Sequence, residues 1–154
     1  MERNGATAVL RGNYTAKIDD KGRLKVPSEF RALTEAHYGP KIFITSLDGR
    51  SVRLYPLSVW EDIENRLATM ASTDPTRVRL LRRVMHHGQM AEFDAQGRVL
   101  IPARLRATAE MTGEVDVVGM LSYLEVWNSG RLSANLEEDP LTEDDWQRLS
   151  NAGV

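Results

Sequence analysis

Asp19-Asp20-Lys21-Gly22-Arg23-Leu24-Lys25-Val26-Pro27-Ser28-Glu29-Phe30-Arg31-Ala32 is the stretch that decides the fold, because the chain contains it twice. The second copy lies 75 residues later and needs no gap: Asp94-Ala95-Gln96-Gly97-Arg98-Val99-Leu100-Ile101-Pro102-Ala103-Arg104-Leu105-Arg106-Ala107. Six of the fourteen pairs are identical, and the apolar positions of the first copy stay apolar in the second. Self-similarity at a fixed offset is typical of a duplicated structural unit, so the sequence predicts two copies of one module.

Each copy carries the same series of predicted elements. Alternating apolar and polar residues before the motif predict a half-buried strand. Asp-x-x-Gly then predicts a hairpin turn, because Asp favours the first turn position and Gly accepts a positive φ. The expected turn residues are Asp19, Gly22, Asp94 and Gly97. A return strand follows, then a Pro suited to the first turn of a short helix, and then two further strands. The fold class indicated is α+β, mainly β.

Two helices are predicted between the copies, and an acidic tail after them. Apolar residues at helical spacing from Leu57 to Met70 give one stripe. On the next helix, capped by Thr73 or Asp74, four apolar residues are expected on one face and four basic residues on the other. These are Leu80, Leu81, Val84 and Met85, against Arg79, Arg82, Arg83 and His86. The tail is expected to be part helix and part disordered. The predicted division is module 1 at 12–58, a helical connector at 59–87, module 2 at 88–131 and the tail at 132–154.

Composition excludes several classes of protein. The 154 residues include no Cys, which removes disulfides, thiolate metal sites and thiol nucleophiles. Hydrophobic residues make up 42%, enough for a folded core, but no apolar run is long enough to cross a bilayer. The beginning of the chain has no apolar stretch like that of a signal peptide, so a cytoplasmic location and no membrane partner are expected.

The net charge of −2 is an average over two unlike regions. Residues 1–131 contain 19 basic and 16 acidic residues, whereas residues 132–154 contain one basic and six acidic residues. An acidic tail therefore masks a mildly basic body. The whole-chain charge does not exclude an anionic partner.

Catalytic and cofactor motifs are absent from the sequence. The chain has no G-x-S-x-G, no P-loop and no G-x-G-x-x-G, and its three His are too few and too scattered for a metal site. We expect no enzyme activity, metal, cofactor or small-molecule substrate. A hydrolase using His86 or His87 is the least favoured alternative. Asp94 with Arg98 resembles a catalytic pair, but an Asp that caps turn amides and pairs with an Arg across the hairpin is the simpler interpretation.

The two hairpins are the candidate binding site. They carry long cationic or polar side chains next to exposed backbone N–H groups, which suits phosphate contacts, and a two-stranded ribbon fits the major groove of DNA. The candidate DNA-binding residues are Lys17, Lys21, Arg23, Lys25, Gln96 and Arg98. The competing interpretation is a solvated basic surface without a partner. The second hairpin is less basic, so it is expected to contribute less charge or to serve mainly in assembly.

Two D-x-x-x-R motifs, each continuing as G-R-φ-x-φ-P into a helix, resemble the MraZ family. Arg11-Gly12-Asn13-Tyr14 before the first motif and Tyr123-Leu124-Glu125-Val126-Trp127 near the end of copy two resemble it as well. The resemblance covers residues 10–131. The chain departs from it in a leader, Met1–Val9, and in Gln96 at the second tip.

The resemblance implies two tandem SpoVT/AbrB-like modules whose swapped hairpins interleave into a split β-barrel, a pseudo-dimer within one chain. It also implies a bacterial, nucleoid-associated transcriptional regulator of a cell-division and cell-wall gene cluster. Such a regulator binds repeated promoter boxes in double-stranded DNA as a homo-oligomeric ring. Carried over by position, Lys21 and Arg23 contact DNA, and Arg98 takes the equivalent place in copy two.

The alternative function is an antitoxin-like protein-binding module whose acidic tail engages a partner protein. A tail that aids solubility, limits nonspecific DNA binding or contributes to subunit packing is the simpler expectation.

Overall fold

The structure, a computed structural model, describes residues 9–154, so the leader apart from Val9 lies outside the described residues. Within the described range the chain forms eight strands and six helices. In chain order these are β1 (Leu10–Ile18), β2 (Arg23–Lys25), α1 (Ser28–Tyr38), β3 (Lys41–Thr45), β4 (Val52–Pro56), α2 (Leu57–Leu67), α3 (Pro75–His87), β5 (Gln89–Glu92), β6 (Arg98–Leu100), α4 (Ala103–Thr108), β7 (Gly113–Leu121), β8 (Leu124–Asn128), α5 (Ser129–Glu138) and α6 (Glu143–Asn151).

The strands of the two copies interleave in one antiparallel sheet of order β5-β3-β4-β8-β7-β1-β2-β6. Strand β1 pairs with β7 of the other copy, and its counterpart β5 pairs with β3. The ladders β2–β6 and β4–β8 also join one copy to the other. The edge strands β5 and β6 approach each other, so the sheet is a nearly closed barrel. The predicted α+β split barrel with swapped hairpins is confirmed.

The tip of each hairpin is bonded to the other copy. The backbone N–H of Val26 donates to the carbonyl of Gly97 over 3.1 Å, and the N–H of Ile101 donates to the carbonyl of Gly22 over 2.9 Å. These bonds are related by the sequence offset of 75. The pseudo-two-fold arrangement follows from the repeat, because each copy offers the same donor and the same acceptor.

Two clusters of buried side chains hold the fold together. The larger one fills the barrel with the inward-facing aliphatic residues of the strands together with residues of α1 and α4. The smaller one lies under α2 and α3, where the Trp60 ring stacks on Phe43 at 4.7 Å between centroids and packs against Tyr55 at 5.2 Å. Helix α3 reaches this cluster through the fully buried Val84. The smaller cluster therefore fixes both connecting helices on the outside of the barrel.

The connecting helices agree with the sequence pattern except at two methionines. Helix α2 ends at Leu67, so Met70 lies in the following turn. Asp74 caps α3 by accepting from the N–H of Thr76. Met85 was expected on the buried face but is 48% exposed. It lies about 100° around the helix from Val84, at the edge of the buried stripe.

The tail is helical, so the expectation of partial disorder was wrong. Helix α5 begins at Ser129, where the Asn128 side chain accepts from the N–H of Arg131. Helix α6 begins with a capping box in which Thr142 and Asp145 each accept a backbone N–H of the other. A capping box satisfies two otherwise unpaired N–H groups, which explains why so polar a segment can still form a helix.

Because the copies interleave, the sequence boundaries 12–58, 59–87, 88–131 and 132–154 do not correspond to separate bodies in space, and that division stays a prediction. Among the helices of residues 9–154, none is long and apolar enough to cross a membrane.

Candidate nucleic-acid interface

The turn of the first hairpin is built by one carboxylate. Asp19 Oδ1 accepts from the backbone N–H of Lys21 at 3.0 Å and of Arg23 at 2.9 Å. Its Oδ2 accepts from Arg23 Nε at 2.8 Å. Gly22 completes the turn with a φ of +87°, a conformation that favours glycine. The backbone N–H of Arg23, more than its side chain, holds the pKa of Asp19 below its usual value.

The second hairpin repeats this arrangement bond for bond. Asp94 Oδ1 accepts from the N–H groups of Gln96 and Arg98, each at 2.9 Å, and Oδ2 accepts from Arg98 Nε at 2.9 Å. The backbone N–H of Arg98 lowers the pKa of Asp94 in the same way. Both carboxylates are therefore committed to the turn and to one nitrogen of the neighbouring Arg, which leaves neither placed as a general base.

Strands β2 and β6 form an antiparallel ribbon that brings cations of both copies together. Leu24 and Val99 are paired and point into the core. The residues on either side of them face outward, and Lys25 lies directly opposite Arg98. Directly opposed like charges destabilise a sheet, and an anion bound between them removes that repulsion. Together with Arg23, these residues give the outer face of the ribbon a positive charge.

The two arginines differ in how much of the guanidinium is engaged. Arg23 bonds through Nε only, so both terminal nitrogens are without a partner among the described residues. Arg98 also donates from Nη2 to Gln96 Oε1 at 2.8 Å. An arginine held through Nε and open at its terminal edge is oriented for bidentate bonding to a phosphate or a guanine. Arg23 meets that description better than Arg98.

The three lysines of the first hairpin are exposed and form no hydrogen bond or ion pair within residues 9–154. Lys21 is at the tip, Lys25 on the ribbon and Lys17 on the outer face of β1. The register places Lys17 directly opposite Glu114 of β7, so an acidic neighbour reduces the local potential there. Lys21 follows the exposed Asp20, so of the three lysines Lys25, opposite Arg98, has the least acidic setting.

Two arginines that are not among the predicted DNA-binding residues support the tips. A Cβ on Gly97 would lie 2.8 Å from Arg31 Cδ, and a Cβ on Gly22 would overlap the Arg106 guanidinium. Arg31 also donates from Nη2 to the carbonyl of Asp94 at 3.3 Å. The helix of each copy thus packs an Arg against the tip of the other hairpin. The signal was present in the sequence, because Arg31 and Arg106 are one of the six identical pairs of the repeat.

The His residues form no catalytic arrangement within the described chain. The rings of His86 and His87 are 4.9 Å apart, and no carboxylate bonds to either. Burial, with smaller contributions from the neighbouring cations, lowers the pKa of His87. No group of three His, Asp or Glu side chains within residues 9–154 converges as a metal site would.

The site is an outward-facing cationic ribbon on a barrel of interleaved repeats, an arrangement suited to a binding protein with an anionic partner. A family profile described as "MraZ protein, putative antitoxin-like" matches residues 9–83 and 85–151. The chain is 45% identical to the "Transcriptional regulator MraZ" of Acidobacterium capsulatum, over 95% of this chain and 100% of that protein. The protein of the same name from Koribacter versatilis is 44% identical over 95% of this chain and 100% of its own length. That of Syntrophobacter fumaroxidans is 34% identical over 91% of both chains. The chain belongs to the MraZ family, whose members named above are transcriptional regulators and not enzymes.

Proposed function

We propose that this chain binds DNA sequence-specifically through the β2–β6 ribbon and the tips of its two hairpins. Arg23 would read a base or clamp a phosphate, with Lys21 and Lys25 on the backbone beside it. Lys17, Gln96 and Arg98 would make further, weaker contacts. The observation that carries the proposal is the register of β2 against β6, which aligns Lys25 with Arg98 while the terminal nitrogens of Arg23 have no partner.

The dimensions of the ribbon suit the major groove. Paired strands lie about 4.8 Å apart, and the groove of B-DNA is about 12 Å wide, so two strands with their side chains fill it. Arg at the ribbon surface can bond two acceptors of a guanine, the commonest specific contact in that groove. Phosphate contacts from the lysines would then set the orientation and the salt dependence.

We further propose that the protein acts on repeated promoter boxes upstream of a cell-division and cell-wall gene cluster, at the nucleoid, as a ring of identical subunits. One ribbon makes few phosphate contacts, and its affinity would be marginal at cellular salt. Joining several ribbons in one body raises the effective concentration of the next ribbon once the first has bound. Boxes repeated at a matching spacing would then be selected by geometry as well as by base contacts.

The test is a mobility-shift titration of the full chain with DNA from the region upstream of its own gene. We expect Arg23→Ala to lower the affinity by about 1–3 kcal/mol for each box, a loss of about 5- to 150-fold. Arg66→Ala is the matched control, because Arg66 is an exposed arginine on α2 whose side chain makes no hydrogen bond or ion pair within the described residues. Affinity that is equal for both variants, or that does not change with salt concentration, would contradict the proposal.

A second candidate is an antitoxin-like module whose tail engages another protein. The family description and the exposed Trp146 on α6 favour it. Removing residues 140–154 tests it while leaving α5 whole. This candidate requires that the truncated chain lose a specific foreign protein partner and keep the DNA affinity of the full chain.

A further inference from the structure

Helix α3 presents a basic face for which the described chain provides no partner. Arg79, Arg82, Arg83 and His86 recur at the spacing i, i+3, i+4 and i+7, opposite the buried Val84. All four are exposed, and none of their side chains forms a hydrogen bond or an ion pair within residues 9–154. With His87 they line an open hollow of about 380 Å³ that contains no carboxylate.

Helix α6 is acidic and carries an exposed aromatic residue, so its surface complements the basic face of α3. Its side-chain hydrogen bonds stay within the tail, and none reaches another element. Trp146 is 56% exposed and lies three residues before Leu149, on one face of the helix, with Leu141 exposed just before the helix begins. The helical spacing places Glu143 and Asp145 on either side of this apolar stripe. An exposed indole between two carboxylates is a surface that needs a basic and partly apolar partner.

We infer that α6 of one copy docks on α3 of a second copy, an inference that rests on the assembly proposed above. Carboxylates of α6 would pair with the arginines of α3, and the Trp146 ring would lie over a guanidinium, since Trp is the best aromatic acceptor for a cation. Met85, exposed at the edge of the basic face, offers apolar surface for the indole. The contact joins two different surfaces, so it repeats head to tail and closes into a ring when the rotation permits.

A second copy is favoured over DNA as the partner of α3 by the charge distribution. The tail, 132–154, contains six acidic residues and one basic residue, so it repels phosphates and is attracted to a basic surface such as that of α3. DNA on α3 would also leave Trp146 and Leu141 in water. A second copy covers both surfaces at once. Within residues 9–154 no hydrogen bond or ion pair joins α6 to α3, and the inferred contact is one between two molecules.

Charge reversal tests the inference on the full-length protein. The α3 variant is Arg82→Glu with Arg83→Glu, and the tail variant is Glu143→Arg, which reverses the carboxylate beside Trp146 and leaves the Thr142–Asp145 capping box in place. The matched control, Glu61→Arg with Asp62→Arg, reverses two adjacent exposed acids on α2. Particle mass is measured by light scattering or native mass spectrometry, and helix content by circular dichroism.

We expect each of the first two variants to fall toward the 17.3 kDa mass of one chain, the control to keep the wild-type mass, and the combined α3 and tail variant to regain the larger mass. Wild-type mass in both variants would overturn the inference while leaving the proposed assembly intact. A wild-type protein that is itself monomeric would overturn the assembly and the inference together. Unchanged mass with weakened DNA binding in the α3 variant would assign that face to DNA instead.

Trp146→Ala separates docking from general electrostatics. It removes the apolar part of the contact and leaves every charge in place, so the particle should dissociate at a higher protein concentration than the wild type does. Dissociation that depends on charge alone, with Trp146→Ala behaving as wild type, would contradict the geometry inferred here.

Discussion

The two hairpins have the same turn and different surfaces. Asp19 and Asp94 accept the same three hydrogen bonds, each from two backbone N–H groups and one arginine Nε. At the outward-facing positions the copies differ: Lys17, Lys21 and Lys25 of the first correspond to Glu92, Gln96 and Leu100 of the second. The residues that close the turn, including Arg23 and Arg98, are the same in both copies, whereas the three lysines of the first hairpin have no basic counterpart in the second.

The turn can therefore be kept while the charge on the outer face of the hairpin changes. The first hairpin has lysines without partners and an Arg23 that is open at its terminal edge. In the second, Gln96 takes up one of the terminal nitrogens of Arg98. We therefore expect the copies to contribute equally to stability and unequally to DNA affinity. Three sets of variants test this expectation, beginning with the one that should have the largest effect.

The largest effect is expected at the turn glycines. Gly22→Val places a β-branched residue at a φ of +87° and pushes its Cβ into the Arg106 guanidinium. Left-handed backbone at a non-glycine residue costs about 1–3 kcal/mol, and the Arg106 guanidinium, the end of a flexible side chain, also has to move aside. Gly97→Val meets Arg31 in the same way at a φ of +78°. Urea unfolding of the full chain should show a similar decrease in the free energy of unfolding for both variants. A decrease in only one of them would show that the two turns do not contribute equally to stability.

The next effect is expected when the charges of the first hairpin are replaced by the residues of the second. Lys21→Gln with Lys25→Leu removes two phosphate contacts and should lower DNA affinity about tenfold at cellular salt. The slope of log affinity against log salt should decrease by about 0.9 for each contact that is lost. The reciprocal variant, Gln96→Lys with Leu100→Lys, should strengthen binding. Mobility shifts over a range of salt concentrations measure both variants, and equal salt slopes in all three proteins would show that these positions do not meet phosphate.

The smallest effect is expected from acid. The folded state holds the pKa of Asp19 and of Asp94 below the usual value of 3.8. The stability that these carboxylates contribute is therefore complete above their unfolded pKa and is lost as the pH falls through their folded pKa. Asp19→Asn and Asp94→Asn should each flatten the loss of unfolding free energy between neutral and acidic pH, by similar amounts. A wild-type slope in either variant would mean that the carboxylate is not held in its charged form by the turn.

Much of the fold could be predicted from the sequence because its signals are local. Asp-x-x-Gly, the Pro at the start of α1 and α4, and the alternating strands each depend on residues within a few positions of one another. The expectation about Met85 was wrong for a related reason, since helical spacing gives relative directions but not the width of the buried stripe. The tail was misjudged because composition suggested disorder, whereas the Thr142–Asp145 capping box stabilises α6 locally.

The candidate site was predictable only in part. The sequence identified Arg23 and Arg98 as cations at the strand returns, but their distance from each other depends on how β2 pairs with β6. Strands β2 and β6 pair across the two copies, between residues about 75 positions apart in the sequence. No local sequence pattern predicts the register of such a pair. The same holds for Glu114 opposite Lys17, and for Arg31 and Arg106 at the opposite tips.

The sequence alone was enough to predict a duplicated hairpin module with a basic body and an acidic tail. Repeats, turn motifs and regional charge depend only on the residue types and their order along the chain. The tertiary structure was needed to show that the hairpins cross to the other copy and that Lys25 faces Arg98 on one ribbon. It was also needed to show that the side chains on the basic face of α3 and those of α6 form no hydrogen bond or ion pair with another element within residues 9–154. The physical reason is that burial and cross-strand register are set by all elements packing at once, and the position of a side chain in the chain does not specify which distant residue will be its neighbour.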